Sequence, residues 1–359
     1  MIWPPLLLAD PSPCLRWLVL RDLLNQPPDT AELVELSDAR LHDPLARNLL
    51  ALQQADGSWQ PDALSHSWGH GSTSLATSIA LARLSYLGFD HSLPAIARAA
   101  EYLFSFQQPD GSWPMPKVAV NGEGGPDEPE HTGYDTMAHQ TSFPLRGLAA
   151  CGYAEDPRAE RAYDWLLAQR LADGAWPTGV AAAVYGYVAG YRRIPHSRWG
   201  CRSNTTGALI CLSLHPQRRQ GAAARRALDL LLGRDTRERY AIGFEAARLV
   251  GAEPVHGYIT FYARFDLALL IDLCARTGAG RSDARIAGLL DFILAQQGPY
   301  GLWDYPAQPQ ASRWVTFDLL RSLFSLEEGG DGNPHSTEEW INLEPNTPFR
   351  PYPKRERRF

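Results

Sequence analysis

Apolar positions along this chain recur in two alternating kinds of segment. In "SLPAIARAAEYLFSFQQPDGSW" (92–113), Ile96, Ala99, Ala100, Leu103 and Phe106 fall at three- and four-residue spacing, the period of an amphipathic helix. The run stops at Pro-Asp-Gly, a turn. The second kind has Ser, Thr and Ala on several faces: "STSLATSIALARLSYLG", "TMAHQTSFPLRGLAACGY", "SNTTGALICLSL", "FYARFDLALLIDLCARTG" and "SRWVTFDLLRSLFSLEE", with "CLRWLVLRDLL" near the start. Small residues let neighbours approach closely, so these six segments predict helices packed on all sides.

The boundary between the two kinds is itself repeated. "QQADGSWQ" (53–60) returns as "QQPDGSWP" (107–114), frayed as "QRLADGAWP" (169–177), and degraded as "QQGPYGLWDYP". Trp59, Trp113 and Trp176 follow one another at roughly sixty residues, and Trp303 comes after about twice that interval. A silent copy is therefore expected midway, at "LLLGRDTRERY" (230–240), which ends a helical stretch without the Gln and Trp. Physically, Asp-Gly makes the tight turn, the Gln amide is expected to bond exposed carbonyls at the outer helix's C-terminus, and the Trp ring covers that end with apolar area.

Six crowded helices alternating with amphipathic ones predict two concentric rings, the inner helices parallel and the outer ones returning the chain. This resembles the all-α, α/α toroid (α6/α6-like barrel of helical-hairpin repeats) of the squalene–hopene cyclase and prenyltransferase repeat superfamily, whose QW motif has the form Q-x-x-D-G-x-W. The copies ending at Trp59 and Trp113 match it fully, and the one ending at Trp303 keeps Gln and Trp. The chain also resembles uncharacterised bacterial single-toroid squalene-cyclase-like proteins. One toroid domain over 1–328 is expected. Residues 329–359 then form a proline-rich tail, either a strap anchored by its aromatics or disordered.

Composition narrows the function classes. A net charge of −6 and no basic run before "KRERRF" argue against a nucleic-acid groove; all but Lys117 and Lys354 of the 34 basic side chains are arginine. Five scattered cysteines without CxxC fit free thiols and a cytoplasmic location. "MIWPPLLLADPSP" lacks a basic start and a long apolar run, so membrane contact, if any, is expected to be peripheral.

Parallel inner helices would bring their N-termini, with partial positive ends and free N–H groups, to one rim. The stretches leading into them carry His66, His70, His131, His139, His196 and His256, the aromatics Trp68, Tyr134, Trp199, Tyr258, Phe261, Tyr262 and Trp314, and Arg198, Arg202, Arg264 and Arg313. Class II terpene cyclases use a D-x-D-D-T segment whose middle Asp protonates an alkene. Here "TGYDT" fits only its last two positions, Asp135 and Thr136, and Tyr134 stands where an acid is expected. The resemblance implies Asp135 as the acid, with His139 one turn later to orient it and Tyr134 beside it; Asp135 could equally be a helix cap.

Asp266 and Asp318 are expected in the first turns of their helices as dipole-favoured caps, or pointing inward as partners of Asp135. Trp68, His70, Arg202, Tyr258, Arg264, Asp266, Arg313 and Trp314 are the candidate substrate contacts. No cofactor is required by this pattern. If zinc or magnesium were used, the prenyltransferase likeness would point, for zinc, to His196 and Cys201. The resulting expectation is a terpene-cyclase-like enzyme on a hydrophobic polyene or isoprenoid, including one bearing a diphosphate, by acid-initiated cyclisation or a related transfer. Two alternatives stay open: a non-enzymatic ligand- or protein-binding toroid, for which a lumen plugged by side chains would speak, and an enzyme on a phosphate or acidic sugar at an arginine-lined rim.

Overall fold

The computed structural model describes residues 5–64, 72–113, 137–178, 180–181, 184–185, 192–233, 240–255 and 261–328. The expected strap or tail, 329–359, lies outside them.

The small-residue segments form the inner ring: α1 (Pro13–Leu18, continued as a π-turn over Val19–Leu23), α5 (Thr73–Tyr86), α7 (Ala138–Leu148), α9 (Arg202–Leu214), α12 (Leu267–Thr277) and α14 (Ser312–Glu328). Every residue of α7 is buried, as is α9 from Arg202 to Ser213, which is why neither shows an amphipathic stripe. Close approach is built in: a Cβ on Gly147 of α7 would stand 2.7 Å from the Ser78 carbonyl of α5. Around the ring α5 packs on α7, α7 on α9, α9 on α12, α12 on α14, and α14 on the 19–23 turn. Gly88, just past α5, meets the Trp17 ring and closes the circle.

The amphipathic segments form the outer ring: α2 (Ala31–Ala39) with α3 (Pro44–Ala51), then α6 (Pro94–Ser105), α8 (Pro157–Ala168), α10 (Ala222–Leu232) and α13 (Ala284–Leu294). Their starts follow capping chemistry, with Pro in the first turn of α3, α6 and α8, and Asp43, Asp156 and Asp283 accepting the N–H groups of Leu45, Arg158 and Arg285. They bury one stripe only, in α6 Ile96, Ala99, Ala100 and Leu103. A short α4 (Pro61–Leu64) follows the first motif.

The motif divides its labour differently from the expectation. It is the indole that caps the outer helix: Trp59, Trp113, Trp176 and Trp303 donate Nε1–H to the carbonyls of Leu49, Leu103, Leu166 and Ile293, each ten residues earlier. The Gln amide instead reaches forward. Gln53 donates to Gly57 O and to Ala95 O at the start of α6, and Gln107 to Gly111 O and to Arg158 O at the start of α8, so Gln staples one repeat to the next. Gly57 and Gly111 sit at φ +91° and +94°, with the next outer helix's backbone where a Cβ would be, so no other residue fits there.

One further link is regular. The backbone N–H of each motif tryptophan donates to a threonine hydroxyl on the following inner helix: Trp59 to Thr77, Trp113 to Thr141, Trp176 to Thr205 and Trp303 to Thr316. Thr141 and Thr205 come four residues after their N-caps, Met137 and Cys201. The same position in α12 is Leu270. The silent copy has thus lost the threonine together with the Trp and Gln.

That silent repeat is also where the ring is interrupted inward. After α10 ends, the chain returns at Tyr240–Ala241, pairs in parallel with Phe265–Asp266, and between them forms α11 (Phe244–Leu249). α11 touches α5, α12 and α14, and through Glu245 also Arg146 of α7. A helix in contact with four inner helices lies in the lumen.

Candidate functional site

Lumen-facing residues of α7 are set by helical spacing: His139, Phe143 and Arg146 stack along one stripe. Opposite them stand α11 and the Phe261–Tyr262 pair. His139 meets Phe143 and Tyr262 edge to face at 4.9 and 5.3 Å, and Phe143 meets Phe261 at 4.7 Å. An aromatic wall results.

His139 is fully buried in it, and burial pushes its pKa down to about 3, so the imidazole is neutral. The Ser203 backbone of α9 is its polar neighbour and pulls the pKa the other way, less strongly than burial. Its backbone N–H is held by Asn204 Oδ1 at 2.9 Å. Gly207 of α9 leaves room for the ring, since a Cβ there would stand 3.2 Å from Nδ1.

Below this wall the lumen is charged. Glu245 accepts from Arg146 Nη1 through Oε1 at 2.5 Å and from Arg248 Nη2 through Oε2 at 2.5 Å. Burial opposes ionisation of Glu245, but the two guanidiniums outweigh it and hold its pKa below the usual carboxylate range. Arg146 also donates to the Tyr262 hydroxyl, and Arg248 lies 3.7 Å over the Phe261 ring. Arg83 of α5 donates Nε–H to Arg248 O and forms no ion pair among the described residues; burial lowers its pKa to about 10. Arg83, Arg146 and Arg248 thus share the lumen with two buried carboxylates, Glu245 and Asp266.

Asp266 anchors the plug. As N-cap of α12 it accepts the N–H groups of Gly243, Glu245 and Ala268 at 2.9, 2.7 and 3.1 Å, and burial raises its pKa to about 6 against the pull of those donors. Little space is left around α11. The void lined by Ile79, Ala82, Phe143, Arg146, Val255 and Phe261 offers about 10 Å³ to water, room for roughly one molecule.

The family model for the squalene-hopene cyclase C-terminal domain matches residues 33–188. A probable squalene–hopene cyclase of Sinorhizobium fredii is 29% identical over 154 residues, 39% of this chain and 21% of that protein. The squalene–hopene cyclase of Bradyrhizobium diazoefficiens is 28% identical over 150 residues, again 39% and 21%. The chain is an α/α toroid that is similar, over residues 33–188, to the squalene-hopene cyclase C-terminal domain. It spans about a fifth of the length of those curated relatives. Among solved structures, the type II terpene cyclase MstE from Scytonema is 14% identical, with 79% of this chain and 97% of that one covered at a TM-score of 0.32. A protein from Actinoplanes is 16% identical, with 79% and 97% covered at 0.33.

Of the rim residues expected from the sequence, the toroid gathers His139 and Asp266 around Tyr262, with Arg202 near. Arg202 donates to Ala263 O and lies 5.6 Å over Phe265. Arg264 is exposed and stacks on Phe244 at 4.0 Å. Arg313 is held by Asp10 at 3.0 Å, and Trp314 is buried with its ring 5.8 Å from Tyr86. Asp266 is the cap that the dipole argument allows. Asp318 lies beyond the first turn of α14, buried beside Arg321 and Asp272, so it is no terminal cap. Asp135, Tyr134, Trp68, His70 and Tyr258 lie outside the described residues.

His196 is exposed with φ +59° and its ring against Gly233, whereas Cys201 is buried as the N-cap of α9. Among the described residues no three His, Cys, Asp or Glu side chains are grouped as metal ligands. No helix of the described residues is long and apolar enough to cross a membrane. The plug residues Glu245 and Arg248, and Arg146 opposite them, were not anticipated. Their one sequence signal was charge inside a small-residue helix, as in "FPLRGL".

Proposed function

We propose that this toroid is a terpene-cyclase-like enzyme that takes a hydrophobic polyisoprenoid into its lumen and cyclises it by protonation. Asp135 supplies the proton, and His139, four residues later, orients it. The observation that carries this reading is His139 itself, a neutral, buried imidazole set in the wall of Phe143, Phe261 and Tyr262. Such a group can hold a carboxylic acid's proton toward a double bond, and aromatic faces stabilise the carbocation that forms. The likeness to squalene–hopene cyclases supports the same substrate class.

Cyclisation leaves mass unchanged, so the test is gas chromatography of squalene and geranylgeraniol after incubation with the purified protein. New isomers are expected from the wild type. Asp135→Asn should abolish them with Tm nearly unchanged, since the N-cap of α7 is Met137, whereas Asp56→Asn, in a motif turn, should melt earlier yet keep specific activity. Unchanged turnover by Asp135→Asn would remove the acid assignment.

One observation favours a second reading, a binding toroid without catalysis: α11 lies in the lumen, and the void beside it against Phe143 and Arg146 has room for about one water. Retention of an isoprenoid in native mass spectra with no isomer formed would establish it.

A further inference from the structure

Arg146 belongs to the permanent wall of the ring, on the same stripe as His139 and Phe143. Its counter-charge does not. Glu245 is brought by a six-residue helix inserted at the silent repeat and bounded by left-handed glycines, Gly243 at φ +82° and Gly251 at φ +77°. A buried guanidinium requires an anion whichever molecule supplies it.

We propose that Glu245 stands in for the carboxylate of an acidic, otherwise apolar ligand, and that such a ligand loosens the plug by displacing the Glu245 side chain from Arg146 of α7 and Arg248 of α11. Four features support the exchange. The positive groups are in surplus, with Arg83, Arg146 and Arg248 against two carboxylates, Glu245 and Asp266. Arg248 Nε is buried without a partner among the described residues. Each oxygen of Glu245 meets one guanidinium at 2.5 Å, a planar two-oxygen seat that fits a carboxylate more closely than a diphosphate. Finally, the adjoining void has an apolar wall of Ile79, Ala82, Phe143, Val255 and Phe261, where the ligand's hydrocarbon would begin.

A ligand shifts the plug only by its differential affinity for the open state, so removing the internal competitor should strengthen binding. The proposal rests on the reading that isoprenoids enter the lumen, and the experiment separates the two. In the full-length chain, Glu245→Ala leaves Arg146 and Arg248 without their anion; its Tm should fall and be largely restored by millimolar propionate, but not by propionamide or by chloride at equal ionic strength. Where Glu245→Ala is too unstable, Glu245→Gln serves for the same comparison.

In parallel, farnesoic acid, farnesol and farnesyl diphosphate are titrated calorimetrically. The acid should bind the wild type, bind Glu245→Gln at least tenfold more tightly, and raise hydrogen exchange over 244–249 in the wild type. Propionate no better than chloride would overturn the anion seat, and a diphosphate preferred over the acid would overturn the carboxylate assignment. Farnesol binding as well as the acid in both proteins would keep the lumen reading and sink the role of Glu245. Propionate rescue with no isoprenoid bound would do the reverse.

Discussion

Each motif tryptophan makes two hydrogen bonds and buries its ring, so two different losses can be separated at one repeat. Trp113→Ala removes a ring that is 2% exposed and should cost roughly 3–5 kcal/mol. Thr141→Val keeps the volume but strands the buried Trp113 N–H, and should cost about 1–3 kcal/mol by denaturant unfolding. A Thr141→Val protein as stable as wild type would mean that the hydroxyl link does not hold outer to inner ring. The tryptophans were legible in the sequence because a large apolar side chain returning at a fixed interval marks the same packing position in each repeat. The threonines were not, because a hydroxyl within a small-residue helix looks like packing filler until its partner is known. His139 was legible as a rim histidine, but not as one whose charge burial removes.

Between α12 and α14 two aspartates share two arginines. Arg321 contacts Asp318 at 2.7 Å and Asp272 at 3.7 Å, and Arg276 holds Asp272 at 2.8 Å. Burial raises Asp318 from 3.8 to about 7 despite Arg321, with the Asp272 charge adding to the rise. The folded state therefore keeps a proton that the unfolded chain releases, and the stability this gives is present at low pH and lost as pH rises from about 4 to about 7. Asp318→Asn lacks that titration. The difference in Tm, wild type minus variant, should fall across that window and be flat above it; a difference that rises would show Asp318 to be an ionised partner. At this scale the sequence was readable where periodicity persists, in the inner and outer helices. It was silent on α11, because six residues are too few for a periodic signal and Glu245 and Arg248 look like surface charges.

For the whole molecule, the double ring follows from repetition alone, since every amphipathic helix needs a crowded one to cover its stripe. What fills the ring does not follow, because it depends on side chains meeting across it from α5, α7 and α11. The Glu245–Arg146 pair joins residues 99 apart in sequence. As the nascent chain leaves the ribosome, α5, α7 and α9 are complete long before Glu245 is made, and a repeat-by-repeat collapse would enclose a guanidinium with no counter-ion. Closure of the ring must then wait for the silent repeat. A chain ending at Gly233 should show little amide protection over α7, although its motif tryptophans and threonines are all in place up to Thr205. Strong protection there would show that Arg146 finds another anion during synthesis.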